Sequence, residues 1–141
     1  MLTGEFQHNI DPKGRMIVPS KFRDELGKRF VATKGLDKCI FVFPLSEWEK
    51  LDRQLSELSL SKGRAIQRFF YGGMAECEID GQGRILLPTT LREYAELEKD
   101  VVAIGLNRRV EIWSKSNWAA QNEQFIEHTD EVALQMEELG I

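Results

Sequence analysis

The chain has 141 residues, 42% apolar and 30% charged, which fits one folded domain and excludes a disordered polyelectrolyte. Its richest apolar run, Cys39-Ile-Phe-Val-Phe43, is strand-sized and far short of a membrane span, and two cysteines with two histidines are too few for a disulfide framework or a structural zinc site. The net charge of −4 conceals a polarity: residues 1–35 carry seven Lys/Arg against four acids, whereas residues 119–141 carry six acids and no Lys or Arg.

In chain order, Met1-Leu-Thr-Gly-Glu-Phe6 lacks the basic and apolar regions of a signal peptide, so a reduced, cytoplasmic protein is expected. A short strand from Glu5 to Ile10 runs into the turn Asp11-Pro-Lys-Gly-Arg15, where Gly14 supplies the backbone freedom of a tight reversal. Met16-Ile-Val18 reads as a short buried strand, and Pro19 opens a brief helix that stops at Gly27. Phe30 to Lys34 and Cys39 to Phe43 form a hairpin across Gly35-Leu-Asp-Lys38. Ser46-x-x-Glu49 has the form of a capping box opening a helix to Leu58, with Trp48, Leu51, Leu55 and Leu58 on its apolar face. A second helix covers Lys62 to Tyr71, with Ile66, Phe69 and Phe70 expected inward.

The same order then begins again. Asp80, Gly83, Arg84, Pro88 and Arg92 repeat Asp11, Gly14, Arg15, Pro19 and Arg23 at a constant offset, with apolar residues between arginine and proline in both copies. Past that point the register slips by one residue. Gly35-Leu36 then matches Gly105-Leu106, and Trp48 matches Trp118. Strands are predicted at Glu76–Ile79, Ile85–Leu87, Val101–Ile104 and Val110–Trp113, followed by a helix from Ser116 toward Leu139 that breaks near His128. One such unit is too small to bury an adequate core, so the two are expected to pair into one compact barrel about a pseudo-twofold axis.

No catalytic constellation emerges. His8 and His128 fall outside the repeated positions, Gly81-Gln-Gly-Arg84 lacks the lysine and serine of a phosphate loop, and Cys39 and Cys77 sit in apolar surroundings that favour inert thiols. What remains is the doubled Asp-x-x-Gly-Arg turn. An exposed Asp–Arg pair contributes only ~0–1 kcal/mol, so its recurrence points to geometry or function. An arginine lifted on a turn of a β-scaffold meets a guanine edge or a phosphate. Lys13 adds a second cation to the first turn, and the corresponding Gln82 can hydrogen-bond an adenine edge.

The two motifs, Asp11 to Pro19 and Asp80 to Pro88, together with Phe69-Phe-Tyr-Gly-Gly73, resemble the MraZ family over essentially residues 1–118. The resemblance implies two tandem SpoVT-AbrB-type repeats, 5–58 and 75–118, joined by a connecting helix over 59–74 and followed by an acidic tail over 119–141. It implies a β-rich fold with short peripheral helices, a double-split β-barrel of the AbrB/MazE type. It further implies a sequence-specific transcriptional regulator, in the expected sense a repressor, of a division and cell-wall gene cluster. Such a protein binds repeated DNA boxes as a ring-shaped homo-oligomer at the nucleoid, with no enzyme activity, cofactor or metal. The DNA-binding residues expected are Lys13, Arg15, Lys21, Arg23, Gln82 and Arg84, with Asp11, Gly14, Asp80 and Gly83 forming the turns. The alternative is a non-catalytic interaction module of antitoxin-like type that acts through the acidic tail.

Overall fold

A computed structural model describes residues 1–141. The first half contains β1 (Leu2–Asn9), β2 (Arg15–Ile17), α1 (Ser20–Leu26), β3 (Arg29–Lys34), β4 (Ile40–Pro44), α2 (Leu45–Ser56) and α3 (Leu60–Gly73). The second repeats that order with β5 (Ala75–Glu78), β6 (Arg84–Leu86), α4 (Thr89–Tyr94), β7 (Asp100–Asn107), β8 (Val110–Ser114), α5 (Lys115–Glu127) and α6 (Thr129–Glu138). Every element of one half therefore has a counterpart in the other, as the sequence repeat requires.

The halves are interleaved. The six-stranded antiparallel sheet runs β1-β7-β8-β4-β3-β5, so each half's leading strand hydrogen-bonds to the hairpin of the other half: β1 lies on β7, and β5 lies on β3. A pseudo-twofold axis passes between β4 and β8, where Phe41 faces Glu111 and Val42 faces Val110. The same symmetry pairs β2 with β6 in a separate two-stranded ribbon, Met16 opposite Ile85. The ladder does not close into a ring: β1 and β5 end the large sheet, and the ribbon is a second, independent ladder. An isolated bridge between Ile10 and Met16 ties the end of β1 to the ribbon, and side chains of both ladders share one core.

Strands β4, β7 and β8 are buried on both faces, which explains their continuous apolar character. Alternate residues, Ile40, Val42, Val101, Ala103, Val110 and Ile112, meet Met16, Val18, Phe22, Ile85, Leu87 and Leu91 in the main core beneath the ribbon. The residues between them, Phe41, Val102, Ile104 and Trp113, form a second cluster on the opposite face, joined by Phe43, Phe70 and Trp118. Trp48 and Trp118 are packing anchors: Trp48 lies against Phe43 and Tyr71, and Trp118 against Trp113 with centroids 5.5 Å apart. Glu111, buried in this layer, is satisfied by Arg109 at 2.9 Å and by the Trp113 indole N–H at 3.0 Å.

Several local expectations change. Ser46 does not cap α2, which starts one residue earlier with Pro44 at its N-cap; the serines that cap are Ser59, accepting from Lys62 N–H, and Ser114, accepting from Asn117 N–H. A proline that ends a strand already fixes the backbone for helix entry, leaving Ser46 inside the first turn. Ile66 is 45% exposed although it lies on the same side of α3 as Phe70 and Gly73: the helix meets β3 at its C-terminal end, where the Phe70 carbonyl accepts from Thr33 and Gly73 rests against Lys34, and Ile66 lies a turn before those contacts. β1 begins at Leu2, and β7 runs through the predicted hairpin residues to Asn107, since the two strands pair along their whole length. The last helix is broken at His128, into α5 and α6.

Candidate nucleic-acid interface

The ribbon displays one face to solvent. Met16 and Ile85 point into the core, so the period of two sends Arg15, Ile17, Arg84 and Leu86 outward together. Arg15 stands opposite Leu86 and Ile17 opposite Arg84. Ile17 is 44% and Leu86 59% exposed, high for aliphatic residues in a strand.

Each arginine is held by its own turn. Asp11 Oδ1 accepts from the backbone N–H groups of Lys13 and Arg15, both at 2.9 Å, while Oδ2 accepts from Arg15 Nε at 2.9 Å. Asp80 repeats the arrangement with Gln82, Arg84 and Arg84 Nε. The carboxylate thus replaces missing main-chain partners in the turn and fixes the guanidinium at one edge. The Nη groups of Arg15 and Arg84 remain free of hydrogen bonds and face outward. The backbone N–H of Arg15 is the first cause that holds the Asp11 carboxyl below the usual carboxylate range; that of Arg84 does the same for Asp80. Both carboxylates are therefore ionised throughout the neutral range.

The two turns are also locked to one another. Val18 N–H donates to the Gly83 carbonyl and Leu87 N–H to the Gly14 carbonyl, each at 2.9 Å. Arg23 donates from Nε to the Val18 carbonyl at 2.9 Å and lays its guanidinium over Gly83; Arg92 donates to the Leu87 carbonyl at 2.9 Å and lies over Gly14. Both glycines have positive φ, +86° and +78°, and a Cβ at either would stand 2.6 or 2.5 Å from the guanidinium carbon. Glycine is required here twice over, by backbone conformation and by the arginine resting on it.

Of the expected site residues, Arg15 and Arg84 converge on one open groove of about 770 Å³ that is also lined by Asp11, Arg92 and Lys99. Lys13 and Gln82 sit at the exposed turn tips outside that groove, and Arg23 braces the opposite turn. Lys21 lies to the side, with Nζ 3.5 Å from Thr3 Oγ1 and 6.0 Å from the Phe6 ring centroid. His8, near Arg23, has its pKa lowered by burial and then by that cation, which keeps it neutral. Arg92 and Lys99 are the cationic groove residues that sequence reasoning passed over. The signal for Arg92 was its equivalence to Arg23 in the repeat.

This doubled architecture has a counterpart in known proteins. A family model described as "MraZ protein, putative antitoxin-like" matches the chain twice in succession, over residues 1–69 and 70–136. The chain belongs to the MraZ family. Among its relatives, the transcriptional regulator MraZ of Halothermothrix orenii is 52% identical over 143 residues, covering 100% of both chains. That of Heliobacterium modesticaldum is 54% identical over 135 residues, covering 94% of each. That of Desulforamulus reducens is 56% identical over 126 residues, 88% of this chain and 89% of its own. Within this MraZ-family chain no helix is long and apolar enough to cross a membrane.

Proposed function

We propose that the chain is a sequence-specific regulator of transcription that binds double-stranded DNA through the outward face of the β2/β6 ribbon. The carrying observation is the pair Arg15 and Arg84, each tethered at Nε by its own aspartate and each with both Nη groups free on the same exposed face. A guanidinium fixed at one edge is preorganised for bidentate recognition of guanine O6 and N7 or of a phosphate. A two-stranded ribbon fits the ~12 Å major groove, and exposed Ile17 and Leu86 beside the arginines suit thymine methyl groups. Lys13 and Gln82 at the turn tips, with Lys21 and Arg23 beside them, supply the flanking contacts. The names of the relatives support the regulatory role.

In this reading the two repeats, 5–58 and 75–118, act as one DNA-binding body, with 59–74 connecting them and 119–141 as an acidic extension. One copy offers few cations and the whole chain is acidic, so affinity depends on several copies engaging repeated promoter boxes at once as a ring-shaped homo-oligomer. The regulated genes are a division and cell-wall cluster, the sense of regulation is repression, and the protein works in the cytoplasm at the nucleoid. Fluorescence anisotropy on the DNA upstream of its own gene tests the reading. Binding should be lost on scrambled DNA and fall steeply with salt, each neutralised phosphate adding ~0.9 to the logarithmic slope. Equal affinity for scrambled DNA would refute it. An antitoxin-like role through the acidic tail would instead appear as regulation that survives Arg15→Ala and is lost when 119–141 is removed.

A further inference from the structure

The two flanks of the ribbon are built from matching parts. Ile10 N–H donates to the Lys99 carbonyl at 2.8 Å and Ile79 N–H to the Lys28 carbonyl at 2.9 Å, so the pseudo-twofold axis pairs Lys99 with Lys28 as it pairs Arg92 with Arg23. The helices before these lysines both end in left-handed backbone, α1 at Gly27 with φ +75° and α4 at Glu96 with φ +55°. Lys28 follows Gly27 directly, whereas two further residues, Leu97 and Glu98, stand between Glu96 and Lys99. Leu97 N–H donates to the Arg92 carbonyl at 2.9 Å and its side chain packs on the main core, which makes the insertion a fixed wall. That wall bounds the groove along β2, which Ile10, Pro12 and Ile17 also line. On the other flank nothing lies within 4 Å of where a Gly27 side chain would stand.

The charges differ as well. On the β6 flank Glu78 lies 3.8 Å from Lys28 Nζ and 3.9 Å from Arg29 Nε. In the ladders Glu78 faces Arg29 as Asn9 faces Asp100, so the β2 flank has a neutral amide where the β6 flank has a carboxylate. With its amide nitrogen toward Asp100, Asn9 donates to Oδ1 at 2.9 Å and occupies that acid. Lys99 is in no ion pair and lines the groove beside Arg15 and Arg92. Asp11 is engaged by Arg15, which leaves Glu98 as the acid of the groove that no cation answers.

A ribbon in the major groove has a sugar–phosphate strand along each side. We infer that the β2 flank is a phosphate site, in which Lys99 and the unbonded Nη1 of Arg92 hold a backbone phosphate of one DNA strand. The β6 flank, with Lys28 drawn to Glu78, holds the other strand more weakly. The duplex is gripped chiefly by one strand, which gives the contact a direction that the doubled ribbon by itself lacks. The inference rests on the DNA-binding reading above.

Fluorescence anisotropy with the full chain tests it. Lys99→Gln should weaken binding to the upstream DNA and, at low salt, to scrambled DNA by the same factor, and should lower the logarithmic salt slope by about 1 for each copy engaged. Lys28→Gln should do less on both counts. Glu98→Gln should tighten binding, and a loss there would place the phosphate elsewhere. Arg92 stays in place because it braces the Gly14 turn. Neutral methylphosphonate linkages, introduced one at a time, should weaken the wild type on one strand, and at those positions Lys99→Gln should show no further loss. Unchanged affinity and slope in Lys99→Gln, an equal loss from Lys28→Gln, or equal methylphosphonate losses on both strands overturns the site while the DNA-binding reading stands. A wild type that binds the upstream DNA no better than scrambled DNA overturns that reading itself. If inorganic pyrophosphate raises the melting temperature of the wild type but not of Lys99→Gln, and DNA affinity ignores Lys99, the groove takes a free phosphate and the DNA-strand assignment is overturned.

Discussion

Gly14→Ala is expected to destabilise the protein through a residue from the other repeat. The new methyl stands 2.6 Å from the Arg92 guanidinium carbon, so Arg92 must swing away and give up its bond to the Leu87 carbonyl. A non-glycine residue in left-handed backbone costs about 1–2 kcal/mol. The half-exposed charged hydrogen bond contributes about 1.5 kcal/mol, the low end for such bonds. The total is about 3 kcal/mol, a fall in melting temperature of roughly 6–12 °C for a chain of this size. Arg92→Ala alone should cost only its hydrogen bonds, the one to the Leu87 carbonyl and a weaker, exposed one from Nη2 to Thr89 Oγ1 at 3.0 Å, and in its background Gly14→Ala should cost only the backbone share. The double-mutant cycle, measured by urea unfolding, should thus give a coupling of about 1.5 kcal/mol. The pair Gly83 and Arg23 should repeat it. Additivity within ~0.5 kcal/mol in both pairs would show that the guanidiniums do not brace the turns.

Three further outcomes are expected. Arg15→Ala should abolish specific DNA binding, while Arg84→Ala weakens it less, since Lys13 has only the neutral Gln82 as counterpart; equal losses in anisotropy from two folded variants would remove that asymmetry. Met16→Ala, at a core position 2% exposed and opposite Ile85, should cost about 2–5 kcal/mol in chemical denaturation, and a loss below 1 kcal/mol would mean the ribbon packs loosely. Because folding lowers the pKa of Asp11 and Asp80, their contribution is complete above the unfolded value near 3.9 and is lost as pH falls through the lower folded values. Melting temperature against pH should therefore lose part of its acid limb in Asp11→Asn with Asp80→Asn, and an unchanged limb would place acid sensitivity elsewhere.

Much of this was legible in the sequence because the repeat compares the chain with itself. The Asp-x-x-Gly-Arg turns, the short strands after them and the break at His128 all stand where pattern and turn chemistry put them. Failures arose where the choice depends on a distant partner. Ile66 fits an inward stripe on helical period and shares its side of α3 with Gly73, but only the C-terminal end of the helix, at Phe70 and Gly73, reaches β3, which leaves Ile66 uncovered. Ser46 has the chemistry of a cap, yet the strand arriving at Pro44 starts the helix before it. The pairing of β1 with β7 leaves no local trace, since a strand's own residues do not say which edge it will join. Arg92 could have been found, because the repeat already aligned it with Arg23; only its contact with Gly14 shows why both are present.

The interleaving of the halves has a consequence for synthesis. Leu2 is fully buried, but its partner across the ladder is Asn107, and β2 cannot pair until Arg84–Leu86 has been made. A nascent chain therefore emerges with its first strands unsatisfied and holds them so through most of translation. The α2–α3 layer and the β3/β4 hairpin, by contrast, draw on neighbouring sequence and can form early. A ribosome that stops after the first repeat releases a fragment with exposed strand edges and half a core, a substrate for proteases rather than a half-functional regulator. The duplication thus makes the gene product all-or-none: a messenger read to its end yields the β2/β6 ribbon, and anything shorter yields none of it.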